Sequence, residues 1–221
     1  MSEVKTNKIS PATGTAFTLG DSGDTFTVPD GGALTIASGA TITNSGTASG
    51  LGGGKVLQVV NGTDATQYAL TSSSASTDQA GSSAFSITPS ATSSEVMVHF
   101  QIGQVMSKDG SGIRMRIYRQ IAGGGYSHLT AVSGTASASR PAAFAGNFGS
   151  HTDGEDANRT RTIGGHFVDS PNTTSQVDYK LYFGQGDTGT RYIYVNRTRG
   201  NGDAAYSNQT KTHVTLMEIG A

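Results

Sequence analysis

Hydrophobic positions along the chain fall into two textures. Between Phe17 and Ile42, two apolar residues flanking one Thr recur as Phe17-Thr18-Leu19, Phe26-Thr27-Val28 and Leu34-Thr35-Ile36, followed by a weaker Ala40-Thr41-Ile42. Short polar links, GDSGDT, PDGGA and ASG, separate them. Such a triplet has the period of two of a strand, which places both large side chains on one face and the Thr on the other. A triplet is too short to be stable alone. Short strands joined by Gly-rich turns therefore predict stacked rungs, as in a fibrous shaft or β-solenoid, each rung burying its apolar face only against its neighbours. The candidate residues for shaft packing and oligomer contact are Phe17, Leu19, Phe26, Val28, Leu34, Ile36 and Ile42. Ahead of them, residues 1–16 are polar and broken by Pro11 and Gly14.

A passage of almost pure Gly, Ser and Ala from Asn44 to Gly54 carries one large apolar side chain, Leu51, and reads as a hinge at 51–54. Beyond it the strands lengthen. Lys55 to Val60 runs into Asn61-Gly62, a turn signal, with Gln67 to Thr71 as the return strand of a hairpin. Ser72 to Ser83 reads as a loop, and Phe85 to Pro89 as a short strand. Glu95 to Val105 is the longest strand candidate, and Asp109-Gly110 predicts a hairpin into Ile113 to Arg119. Further strands are expected at 127–132, 143–148, 159–168, 177–184, 191–196 and 211–219. Many short strands with turn signals about every ten residues, and no helical pattern, predict an all-β fold: a rung-like region over 1–50 and an antiparallel, jelly-roll-like β-sandwich over 55–221.

Composition shifts this picture toward self-association. Val, Ile, Leu and Phe supply only 40 of 221 residues, about 18%, below the roughly 20% at which a self-sufficient core becomes doubtful. A disordered chain would also carry high net charge, whereas this one stands at −1 with 14% charged residues. A chain between those limits completes its core with copies of itself, and a homotrimer is the expected assembly. Cysteine is absent, which excludes disulfides, thiolate metal sites and a cysteine nucleophile. The opening MSEVKTNKIS lacks the apolar core of a secretory signal, and no apolar run approaches a membrane span. A composition suited to life outside a cell, without an export address, fits a phage virion protein, assembled in the host cytoplasm and released by lysis.

The segments SEVKTNKISPATGTAFTLGDSGDTFTVP, KVLQVV, FSITPSATSSEVMV, VDSPNTTSQVDYKLYF and VTLMEIGA together resemble a tail-fibre-like family of virion proteins from tailed phages, marine and cyanobacterial ones among them. The resemblance implies a structural protein whose N-terminal part attaches to other virion proteins and whose C-terminal β domain projects outward, often as a trimer. It brings no catalytic residues. The long central repeats of many fibres are missing, which keeps a short tail appendage and a capsid-surface fibre both open.

Candidate chemistry is sparse. His151, Asp153, Glu155 and Asp156 gather three carboxylates and a His, yet match no metal-loop spacing and read as a solvated loop. The five histidines have no close ligand spacing, so no metal site, cofactor or catalytic residue is expected. All nine arginines lie from Arg114 onward. Arg114 and Arg116 should share one face of a strand, with Met115 and Ile117 on the other, and such an Arg row could pair across subunits or meet acidic glycans. A charge of −1 without an RNP-type aromatic pattern argues against nucleic acid. The candidate receptor contacts are Tyr126 and His128, beside Gly123-Gly124-Gly125, and Tyr206 in the polar loop 200–210. Aromatic rings in loops give large contact area at low entropy cost, for a host glycan or protein. The expected role is host-surface recognition by a short tail-fibre-like protein. A capsid-surface head fibre or decoration protein without receptor is the alternative, and a polysaccharide-degrading spike, which would need paired carboxylates in a cleft, is disfavoured.

Overall fold

The computed structural model describes Ile9, Pro11 and residues 13–14, 18–19, 21–41, 43, 55–72, 77–108, 113–146, 160–186, 189–205 and 207–220. The chain divides into two compact units, Met1–Ser49 and Gly50–Ala221.

In the first unit the repeat is carried by its turns. Backbone hydrogen bonds run from Asp24 N to Asp21 O, Gly32 N to Pro29 O and Ala40 N to Ala37 O, at 3.1, 2.8 and 3.0 Å. Each turn places a left-handed glycine third: Gly23, Gly31 and Gly39, with φ of 96°, 76° and 85°. That position of a type II turn needs φ above zero, which glycine adopts without steric cost. The glycines stand eight residues apart, so the repeat is an octad. No strand ladder joins the triplets to one another among the described residues. Leu19, Phe26, Val28, Leu34 and Ile36 are all exposed, Phe26 at 65% and Leu34 at 67%. Phe17 and Ile42 lie outside the described residues.

The second unit is an antiparallel β-sandwich, with twelve strands in two sheets of six among the described residues. The first sheet holds β1 (Val56–Asp64), β2 (Tyr68–Ser72), β5 (Glu95–Lys108), β9 (Arg161–Asp169), β11 (Arg191–Val195) and β12 (Thr212–Ile219). The second holds β3 (Asp78–Ala80), β4 (Phe85–Ile87), β6 (Ile113–Ile121), β7 (Ser127–His128), β8 (Ala145–Gly146) and β10 (Val177–Gln185). β5 is long enough to serve twice. Its first part pairs β12, and from Val105 it pairs β11, while β9 runs along its other side. Alternate residues of each strand point inward: Val96, Val98, Phe100 and Ile102 meet Ile113, Met115 and Ile117 of β6 and Val177, Tyr179, Leu181 and Phe183 of β10 in one core. Among the described residues, no helix is long and apolar enough to cross a membrane.

Three local expectations are corrected. Asn61-Gly62 is not a turn but lies inside β1, because a Cβ on Gly62 would stand 2.6 Å from the Phe85 ring; the glycine gives room for packing. The turn comes instead at Asp64, whose Oδ1 accepts from Thr66 N at 2.9 Å. β1 and β2 consequently do not pair with each other: β1 pairs β12 and β2 pairs β11. Likewise β5 and β6 form no hairpin, since they belong to opposite sheets, and Asp109-Gly110 lies outside the described residues. Within the expected loop 72–83, β3 forms against β10.

Candidate functional site

The outer face of the second sheet concentrates rings and charges. Alternation on β6 sends Met115 and Ile117 into the core and Arg114, Arg116 and Tyr118 outward, as the spacing predicts. On β10 the outward positions are Asp178, Lys180, Tyr182 and Gly184, which face Gln120, Tyr118, Arg116 and Arg114 in register. A tight turn then folds the chain back onto β6. Ala122 and Gly123 both have positive φ, 51° and 74°, and Gly124 N donates to Ile121 O at 3.0 Å. Two successive left-handed residues are the signature of a hairpin turn whose twist matches the strands. Its return strand pairs His128 with Tyr118 and Ser127 with Arg119.

Four rings thereby come into a row. Ring centroids lie 5.8 Å apart for His128 and Tyr118, 3.9 Å for Tyr118 and Tyr182, and 6.3 Å for Tyr182 and Tyr126. The Lys180 ammonium stands 4.7 Å from the Tyr126 centroid. Stacking covers the ring faces between His128, Tyr118 and Tyr182, and Asp78 takes the Tyr118 hydroxyl, so ring edges, the hydroxyls of Tyr126 and Tyr182 and the ammonium are what remain for a partner. All four rings are half-buried.

Beside the row lies an ion cluster. Asp78, its side chain 2% exposed, meets Arg114 Nη2 at 2.8 Å and Arg116 Nη1 at 2.7 Å, and accepts from Tyr118 OH at 3.0 Å. Arg116 Nε also donates to Ala142 O at 2.7 Å, tying the segment after β7 to the sheet. Gly184 makes this cluster possible, since a Cβ there would fall 2.1 Å from Asp78 Oδ1. The Arg row is therefore committed within the chain to Asp78, which accounts for its pattern without a glycan or a second subunit.

Electrostatics keep the rings uncharged near neutrality. Burial, and then the Asp78 charge, raises the Tyr118 pKa; burial and then Asp178 raises that of Tyr126; burial raises that of Tyr182. Burial, and then the Arg116 charge, lowers His128 below the usual histidine range, and its Nε2 lies 2.8 Å from Ser133 Oγ. The surface offers hydrogen-bonding edges with the Lys180 cation among them, while the Asp178 carboxylate beside the row is buried and accepts from Gln176 Nε2 at 2.7 Å. That chemistry suits sugar hydroxyls or a polar protein surface.

The structure thus brings two of the three sequence-proposed contacts together, Tyr126 and His128, and adds Tyr118 and Tyr182, which sequence reading passed over. Their signal was legible only after the fact: Tyr118 and Tyr182 alternate with core residues on strands that turn out to be neighbours. Tyr206 and the 151–156 loop lie outside the described residues.

No family model matches the chain, and no curated protein does. Among solved structures it is similar to that of infectious bursal disease virus, Gx strain, at 11% identity and a TM-score of 0.34, covering 73% of this chain and 38% of that one. It is also similar to the VP2 subviral particle of infectious bursal disease virus, at 12% identity and a TM-score of 0.32, covering 74% and 40%. The chain spans less than half the length of either. Superpositions this loose carry no inference about role.

Proposed function

We propose that the chain is a non-enzymatic structural protein of a phage virion, a short tail-fibre-like protein that assembles as a homotrimer through its N-terminal repeat and presents the sandwich to a host surface. The observation that carries the recognition step is the convergence of Tyr126, His128, Tyr118 and Tyr182 on one open sheet face, beside Lys180. A rigid sheet holding rings and polar groups at its surface presents contact area with little ordering cost. The sequence resemblance to tail-fibre-like proteins supports the virion assignment, and the exposed apolar octad supports assembly. Attachment to other virion proteins is assigned to the N-terminal unit.

A second reading, a capsid-surface head fibre or decoration protein without a receptor, is favoured by one feature of the same row. Tyr118 and Tyr182 stack on each other and Lys180 stands over Tyr126, so the rings also serve the sheet's own packing. Adsorption competition separates the two. Purified protein added to host cells before phage should slow adsorption, and Tyr126→Ala should weaken that block while leaving the melting temperature nearly unchanged. A protein that neither binds cells nor slows adsorption rejects the receptor role and leaves the decoration reading.

A further inference from the structure

The opposite face of the sandwich, the outer surface of the first sheet, carries a second arrangement. His99 on β5 and His166 on β9 are direct cross-strand partners, and both are exposed. Their alternating neighbours Val98 and Phe167 are buried, so both imidazoles project from the same outer face. Directly opposed residues in an antiparallel pair have Cα atoms about 4.5–5.5 Å apart, a separation fixed by the ladder. Neither ring has an intramolecular hydrogen bond to hold its nitrogens among the described residues.

The next register step leaves room beside them. Gly164 pairs Gln101, also on the outer face, and a Cβ there would touch nothing closer than Phe100 O at 3.4 Å. The missing side chain opens a shallow depression of about 450 Å³, lined by His99, Gln101, Thr162, Gly164 and His166 among others. Thr162 Oγ1 donates to Gly103 O at 3.0 Å, which fixes its hydroxyl at the edge of the depression. No group of three or more His, Asp or Glu side chains able to hold a metal exists among the described residues. Any ion at this pair would keep open positions for water.

We propose that His99 and His166 form a two-imidazole site for a borderline divalent transition-metal ion, Zn²⁺, Ni²⁺ or Cu²⁺. Imidazole nitrogen suits these ions, whereas Mg²⁺ and Ca²⁺ prefer oxygen. The ladder supplies the preorganisation: two ligands held on adjacent strands chelate with little further ordering cost, unlike a lone surface histidine. His213, exposed on β12 opposite Gln101, stands one strand and one register step from His99 and is not a ligand.

Calorimetric titration of the full, tag-free, EDTA-stripped chain with NiCl₂, and separately with ZnCl₂, tests the assignment. One ion should bind per chain, and either His99→Gln or His166→Gln should weaken binding about tenfold or more, equivalent to about 1.4 kcal/mol. The double variant should bind no more tightly than the weaker single one, and His213→Gln and His128→Gln should bind like the parent. Ni²⁺ should also raise the melting temperature of the parent and not of His99→Gln, because the pair exists only when β5 and β9 are joined. Parent and single variants binding alike, or several equal weak ions per chain, overturns the proposal. If one glutamine variant failed to fold, the other carries the same comparison.

Discussion

The buried carboxylates are anchors, each satisfied by a different set of partners. Asp169 takes Arg119 Nη1 at 2.7 and 2.9 Å and the Tyr179 hydroxyl at 2.7 Å, and burial, then the Asp169 charge, pushes the Tyr179 pKa far up. Glu218, 1% exposed, has no cationic partner among the described residues. Its Oε1 accepts from Ser90 N and Oγ, both at 2.6 Å, and from Ser94 Oγ at 2.7 Å, while Oε2 accepts from Gln58 Nε2 at 2.6 Å. Burial works to raise its pKa, but these four donors outweigh it and bring it down to about 2. The folded value lies below the unfolded one, so the group's contribution to stability is fully present above the ordinary glutamate range near 4.5 and is lost as pH falls toward 2. Glu218→Gln should lower stability by about 1–3 kcal/mol at neutral pH, because an amide cannot accept at both ends and leaves a buried donor unpaired. Urea unfolding of parent and variant from pH 7 to pH 2 checks it: the difference between them should shrink below pH 4.

At the scale of elements, period-two alternation was legible wherever a strand had one buried face. β5, β9, β10, β11 and β12 stand within a few residues of their expected bounds for that reason. Which strands pair was not legible. A short polar link joins two strands equally well within one sheet or between two facing sheets, and the apolar residues of β5 and β6 point to the same core in either case. That ambiguity also hid both surface clusters: His99 and His166, or Tyr118 and Tyr182, meet only through a register that distant segments set. Tyr126 and His128 were legible because their neighbourhood is made locally, by the turn at Ala122-Gly123. Asn61-Gly62 misled because glycine has two uses, left-handed backbone and close approach, and residue type does not distinguish them. Close approach makes a prediction. Gly62→Ala should keep the strand but force the Phe85 ring to move, costing about 1–3 kcal/mol, whereas alanine at a turn glycine with open surroundings and negative φ, such as Gly125, should cost little. Thermal melts of the two variants compare the sites directly.

At the scale of the whole molecule, low apolar content is distributed unevenly. The sandwich gathers its large apolar residues into one continuous core, with Val96, Phe100, Ile102, Met115, Ile117, Val177, Phe183, Ile193 and Val195 fully buried. The N-terminal unit exposes Leu19, Phe26, Val28, Leu34 and Ile36, so the hydrophobic contribution its sequence could supply is unrealised within one chain. A partner able to cover these side chains must present apolar groups at the same octad step, and a second copy does so by construction. Identical turns at Gly23, Gly31 and Gly39 let copies associate in register, each rung repeating the contact of the one before. Purified full-length protein should therefore be an oligomer of about three subunits by light scattering at micromolar concentration, and a fragment covering 55–221 should be a folded monomer. Ile36→Asp removes roughly 1.5–3 kcal/mol of burial per chain from such an interface and places a charge in it. It should shift the oligomer toward monomer and leave the sandwich's own melting transition in place. A 22.6 kDa species for the parent would sink the prediction, as would an Ile36→Asp variant that assembles like the parent. An oligomeric 55–221 fragment would instead move the assembly surface to the sandwich, where Val59, Val168 and their neighbours lie exposed on the first sheet.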